Sequence, residues 1–156
     1  MEHLASFVSS RGLLKSCDCH NRSPTSSSTH IDSDLLSRHR HGGTIYICSD
    51  ALENFVENFL PSIRHPFCLL TGDSDRSITD ACIESPQIKE LISSEYLISW
   101  HAQNNSSQSD RVNLLPIGLD YHTMWERPGL WGISKVSAIA QEHLLHETAN
   151  RAPMLG

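Results

Sequence analysis

No stretch of lysine or arginine is dense enough to hold a phosphate backbone. The chain carries 12 basic against 18 acidic residues, a formal net charge of −6 with histidine neutral, which argues against a nucleic-acid or anionic-membrane partner. Long apolar runs are missing as well. The longest, "YLISW" and "FCLLTG", fall far short of the ~20 residues that a membrane-spanning helix needs, and the N-terminus has Glu2 and no apolar segment of the signal-peptide kind. No membrane span is expected, and a cytoplasmic setting is favoured. Aromatic residues make up 6% and hydrophobic residues 38%, with a mean hydropathy of −0.30, so part of the chain is expected to stay unfolded.

Several fingerprints are absent too. The sequence contains no G-x-x-x-x-G-K-[ST], no G-x-G-x-x-G and no G-x-S-x-G, which removes the readily recognised NTPase, dinucleotide and hydrolase motifs. Five cysteines, Cys17, Cys19, Cys48, Cys68 and Cys82, are an odd number at irregular spacing and form no disulfide framework. A reducing compartment follows as the simpler expectation, against the weak contrary signal of sequons at Asn21, Asn104 and Asn105.

Residues 1–42 read as a leader that is disordered or partly helical. Serine, threonine, histidine and charge dominate 16–43 with no sustained apolar period, and one helical turn is expected near residues 3–15. From Gly42 and Gly43 the character changes. Thr44 to Cys48 is β-branched and apolar, a buried strand, and Ser49 or Asp50 offers an N-cap to a helix carrying Leu52, Phe55, Val56, Phe59 and Leu60 on one face before Pro61 ends it. "FCLLTG" reads as a second strand, Ile88–Ser93 as a helix, "YLISWHA" as a third strand and "VNLLPIG" as a fourth, with a further helix over Ile133–Asn150. Near-continuous apolar strands alternating with helices predict a Rossmann-like α/β fold, a parallel sheet flanked by helices, as a single domain over 43–156.

Ligands of such sheets bind outside the carboxyl ends of the strands. Three polar clusters fall there: "TGDSD", "HAQNN" and "PIGLDYHT". Asp73 and Asp75 suit sugar hydroxyls or a hard cation, or else cap a turn and meet solvent. Gln103 and Asn104, with His101, offer neutral donors and acceptors matched to a polyol, as any surface turn also does. Asp120, Tyr121 and His122 follow Pro116 and Gly118 as carboxylate, phenol and imidazole, either a base and hydroxyl-binding group or a structural loop. Cys17, Cys19 and His20 with the later histidines match no usual zinc spacing, and "HLLHE" lacks the order of H-E-x-x-H. No metal and no bound cofactor are expected.

The succession "GGTIYICSDALENFVENFLPSI", "PFCLLTGDSDRSITD", "LISWHAQNN" and "VNLLPIGLDYHT" resembles the N-terminal half of exostosin-like and related glycosyltransferase-type proteins. The likeness runs over roughly residues 43–147 and includes Gln141 and Glu142. It implies a two-lobed Rossmann-type glycosyltransferase, with the first lobe helping to bind acceptor and the second holding most of the nucleotide-sugar site. Carried over by position, Asp73, Asp75, Gln103, Asn104, Gly118 and Asp120 would line the cleft between lobes. The chain stops where a second lobe would begin, so the expectation is a glycosyltransferase-like domain that is incomplete and inactive alone. A nucleotide sugar would be its donor, and Asp120 and His122 its catalytic carboxylate and imidazole; Tyr121 joins the expected substrate-binding residues. The alternative is a non-catalytic carbohydrate- or protein-binding domain or a truncated product. Nothing in the sequence fixes the oligomeric state.

Overall fold

A computed structural model describes residues 5–127, 129 and 135–151. The chain divides into two compact units, one of residues 14–117 and one made of residues 1–13 with 118–156.

The larger unit is built on strands β1 (Gly43–Cys48), β2 (Phe67–Gly72), β3 (Leu97–Ala102) and β4 (Val112–Leu114), all parallel, in the spatial order β1-β2-β3-β4. Parallel neighbours need crossovers, and two of the three are helical: α2 (Leu52–Asn58) joins β1 to β2, and α3 (Asp80–Ile83) with α4 (Pro86–Ser93) joins β2 to β3, while residues 103–111 join β3 to β4 without a helix. The expected α/β class is the one observed. Alternation along the strands sends Ile45, Ile47, Phe67, Leu69, Trp100 and Ala102 into one core with Leu52, Phe55, Ile88 and Leu91 of α2 and α4. Phe55 meets Phe67 edge-on at 6.2 Å between centroids, and each such fully buried side chain contributes about 1.5–3 kcal/mol. The indole N–H of buried Trp100 donates to Thr71 Oγ1 at 3.0 Å, so its one polar atom costs nothing by burial. Tyr46 and Leu70 point to the opposite face and pack with Leu14, from helix α1 (Ser10–Ser16), and Cys17.

Local chemistry sets the helix ends. Ser85 Oγ accepts the Ile88 N–H, and Pro86 occupies the first turn of α4. Thr79 Oγ1 does the same for Cys82 in α3, a short helix that apolar spacing did not reveal. Neither Ser49 nor Asp50 caps α2: residues Ser49–Ala51 form a 3-10 turn, and the cap position is Ala51 with no side-chain bond. The α-helix also ends at Asn58, before a 3-10 turn over Leu60–Ser62 that contains Pro61. β4 stops at Leu114, short of the expected "VNLLPIG", because Pro116 has no N–H to extend a ladder.

Residues 17–42 carry little regular structure, yet they are packed. Cys19 forms a parallel bridge with Ile45, donating its N–H to Thr44 O at 3.0 Å and accepting from the Tyr46 N–H at 2.8 Å. Ile31 and Leu35 are buried in the main core. Disorder expected from composition therefore does not extend through this segment: of three isolated apolar residues, without any period, Cys19 pairs with β1 and Ile31 and Leu35 join the core. Asp18 fastens the same place, accepting from Thr44 N at 2.9 Å and Arg40 Nη2 at 2.8 Å.

In the smaller unit α6 (Ala138–Arg151) starts later than the expected helix, of which residues 133–134 lie outside the described residues. α5 (His122–Glu126) forms where no helix was expected. Ser9 bridges Leu119 in parallel, and the Leu119 N–H donates to Val8 O at 2.9 Å. No helix among the described residues is long and apolar enough to cross a membrane.

Candidate functional site

In the larger unit the strand ends are tied to one another. Asp73, the residue after β2, adopts φ 56°, and Asn104, after β3, adopts φ 53°; this left-handed region is one that Asp and Asn tolerate better than most residues. Buried Gln103 spans the gap. Its Oε1 accepts the Asp73 backbone N–H at 2.9 Å, and its Nε2 donates to Ile117 O at 3.3 Å. A Cβ on Gly72 would lie 2.4 Å from Gln103 Oε1 and 2.5 Å from the Tyr46 hydroxyl, so glycine is what admits the amide. Asn104 Nδ2 donates to Ser74 O at 2.9 Å, while the Ile78 N–H donates to Asn104 O at 3.1 Å.

Asp73 is buried, and its carboxylate accepts from Ser26 Oγ at 2.7 Å. Its carbonyl accepts from the Ser27 N–H at 2.9 Å and from the Cys48 thiol at 3.5 Å. Burial pushes that thiol up from its ordinary pKa. Ser74 Oγ donates to Asp50 at 2.6 Å, and Arg76 forks onto Glu53; the guanidinium holds the Glu53 carboxyl below its usual range. Asp75 is exposed on this loop. Ser26 and Ser27 went unnoticed because "PTSSST" carries no pattern that distinguishes a contact from a linker. The three sequons share this fate of internal bonding, since Asn21, Asn104 and Asn105 donate their amides to His30, Ser74 and Val112 carbonyls.

In the smaller unit Gly118 has φ 75°, and a Cβ there would meet Val8 O at 2.5 Å. Asp120 precedes α5 and accepts from Thr123 N at 3.1 Å and Thr123 Oγ1 at 2.7 Å. Its Oδ1 also lies 2.8 Å from Nδ1 of His122, whose side chain is mostly buried. Tyr121 is buried; desolvation first, and the Glu142 carboxylate second, push its phenol up. Glu142 accepts the backbone N–H groups of Ser6 at 2.7 and 3.0 Å and of Phe7 at 2.8 Å, bonds that hold its carboxyl below the usual range. Gln141 Nε2 donates to Tyr121 O and Val136 O, each at 2.9 Å. A cavity of about 360 Å³ opens beside Asp120 and Tyr121, walled by Leu119, Met124, Leu144 and Leu145.

Thus Asp73, Gln103 and Asn104 come together in one unit, with Asp75 on the same loop, and Gly118, Asp120, Tyr121 and His122 belong to the other. The first group is bonded internally. The second holds a carboxylate–imidazole pair of which Asp120 lines the cavity and His122 is mostly buried beside it. Among the described residues no three His, Cys, Asp or Glu side chains gather as a metal ion would require. No family model, curated protein or solved structure matches the chain.

Proposed function

We propose that the chain is a glycosyltransferase-type domain in which Asp120 and His122 act as the base toward a hydroxyl acceptor. The observation that carries this reading is the 2.8 Å contact between Asp120 Oδ1 and His122 Nδ1. His122 Nδ1 is buried and without a hydrogen-bond partner, so the carboxylate acts on the ring by charge: it stabilises the imidazolium that forms when Nε2 takes a proton. The acceptor O–H would give its proton to Nε2, and its oxygen would bond the anomeric carbon of a nucleotide sugar as the bond to the nucleoside diphosphate breaks. The donor is a substrate rather than a resident cofactor. The resemblance of "TGDSD", "HAQNN" and "PIGLD" to such enzymes supports the reading, and Gln103 physically joins these three stretches through Asp73 and Ile117.

Acceptor-dependent release of nucleoside diphosphate by the purified chain tests it, with His122→Gln expected to lower the rate by about 10²–10⁴-fold. A second reading, a non-catalytic carbohydrate- or protein-binding domain, is favoured by the internal bonding of Asp73, Gln103 and Asn104. Binding of sugars with no release in any donor would select it. Five free cysteines, three of them buried, support a reducing, cytoplasmic setting.

A further inference from the structure

We propose that residues 23–29 are a lid that closes the ligand-facing edge of the sheet and opens without unfolding it. The inference concerns the larger unit alone and stands apart from the reading of Asp120 and His122 given above. The hinge end of the lid is fastened. Asn21 Nδ2 donates to His30 O at 2.9 Å, the Asp32 N–H to Asn21 Oδ1 at 3.0 Å and the Arg22 N–H to Asp32 Oδ2 at 2.7 Å, so both ends of the segment are tied together between buried Cys19 and Ile31. Its tip lies across the carboxyl ends of β1 and β2, the edge where open α/β sheets take their ligands. There the Ser27 N–H donates to Asp73 O at 2.9 Å, Ser26 Oγ to Asp73 Oδ1 at 2.7 Å, the Ser28 N–H to Cys48 Sγ at 3.3 Å and Asn54 Nδ2 to Thr29 O at 2.8 Å. Compact surface loops with their ends held close are frequently functional.

The chemistry of the tip favours release. "SPTSSST" has, apart from Pro24, no apolar side chain to bury, and all of it but Pro24 and Ser28 is exposed. Its contacts with the strand ends are hydrogen bonds, which water replaces at small net cost, while the freed residues regain conformational entropy. Ser27 also sits at φ 52°, a left-handed conformation that is strained for serine and that lifting the tip relieves. What lies beneath keeps its shape without the lid, because Gln103 Oε1 still accepts the Asp73 N–H and Asn104 Nδ2 still donates to Ser74 O. Opening therefore uncovers the Cys48 thiol and a positioned carboxylate. A ligand hydroxyl that bonds Asp73 Oδ1 takes the place of the Ser26 hydroxyl.

Iodoacetamide labelling of the native full chain, resolved by mass spectrometry, tests this at Cys48. Buried Cys19, bridged to Ile45 near the other end of β1, is the reference for wider unfolding. Cys48 is expected to react about 10-fold faster than Cys19, at a rate that rises little in low denaturant because a local opening exposes little surface, whereas the Cys19 rate climbs steeply. Ser26→Ala and, separately, Asn54→Ala should each speed Cys48 labelling about 2–10-fold, the worth of one hydrogen bond. Cys48 labelling that follows denaturant as steeply as that of Cys19, or that is indifferent to both substitutions, would overturn the inference and make the segment a fixed part of the sheet's cover.

Discussion

Gln103 Oε1 accepts the backbone N–H of Asp73 at 2.9 Å, and the same side chain reaches Ile117 O with its Nε2. One buried amide therefore sets the left-handed turn after β2 and the exit from β4. Replacing it by Leu, which is similar in volume but unable to bond, leaves a buried N–H and a carbonyl without partners. The expected loss is about 1–3 kcal/mol, read as a lower denaturant midpoint of Gln103→Leu against the parent chain; an unchanged midpoint would contradict the joining role.

Gly72→Ala should cost about 1–3 kcal/mol, because the new methyl falls on Gln103 Oε1 and the Tyr46 hydroxyl. Combined with Gln103→Ala it should cost less than the sum of the two single changes, since the obstructing amide is then gone. Chemical denaturation of the three variants checks this coupling, and strict additivity would place the clash elsewhere.

These constraints show what could be read in advance. The strands were legible because parallel strands are apolar throughout: "FCLLTG" is β2 to the residue, and "YLISWHA" contains β3. α5 and α3 were not, since helices of five and four residues are too short to show a period. The placement of Cys19, Ile31 and Leu35 was hidden for a different reason: single apolar residues in a polar segment fill gaps that only the folded sheet creates. Asp73 and Asn104 drew attention as polar groups at strand ends, and the structure assigns both to φ-positive turns. That Asn104 bonds the Ser74 carbonyl and Asp73 the Ser26 hydroxyl follows from how the strand ends and the 17–42 segment meet in the fold, which no residue pattern encodes. The nearness of Asp120 and His122 was within reach, because residues two apart around a helix start lie close by construction.

His39 gives a pH dependence. Its ring sits edge-on to Phe67 at 6.2 Å and 6.3 Å from His65, with Nε2 buried and unbonded. Desolvation, then the neighbouring His65, lower its pKa, against a smaller opposing pull from Asp18. The unfolded chain titrates near ~6.5, so between the two values it binds more protons than the folded one. Stability is thus fully present above that pH and falls as the pH drops through the folded pKa. Denaturation midpoints from pH 7.5 to 5 should show this decline, and His39→Phe should flatten it.

Glu142 works in the same direction at lower pH. The Ser6 and Phe7 N–H groups lower its pKa, so its contribution is present above the unfolded carboxyl value of ~4.3 and is lost as pH falls through the depressed folded value. Hydrogen-exchange protection of the Ser6 and Phe7 amides should persist at pH 6 and be lost at a pH well below the unfolded carboxyl value of ~4.3. In Glu142→Ala the protection should be absent at both, and its survival there would mean that other contacts hold the segment.

Nucleoside diphosphate release measured with a panel of nucleotide sugars, with and without a hydroxyl-bearing acceptor, bears most directly on the proposed chemistry. The expected result is release that depends on the acceptor, falls about 10²–10⁴-fold in His122→Gln and is sharply reduced in Asp120→Asn. Release that is equal in parent and both variants, or binding of acceptor with no release from any donor, would contradict a base at Asp120 and His122.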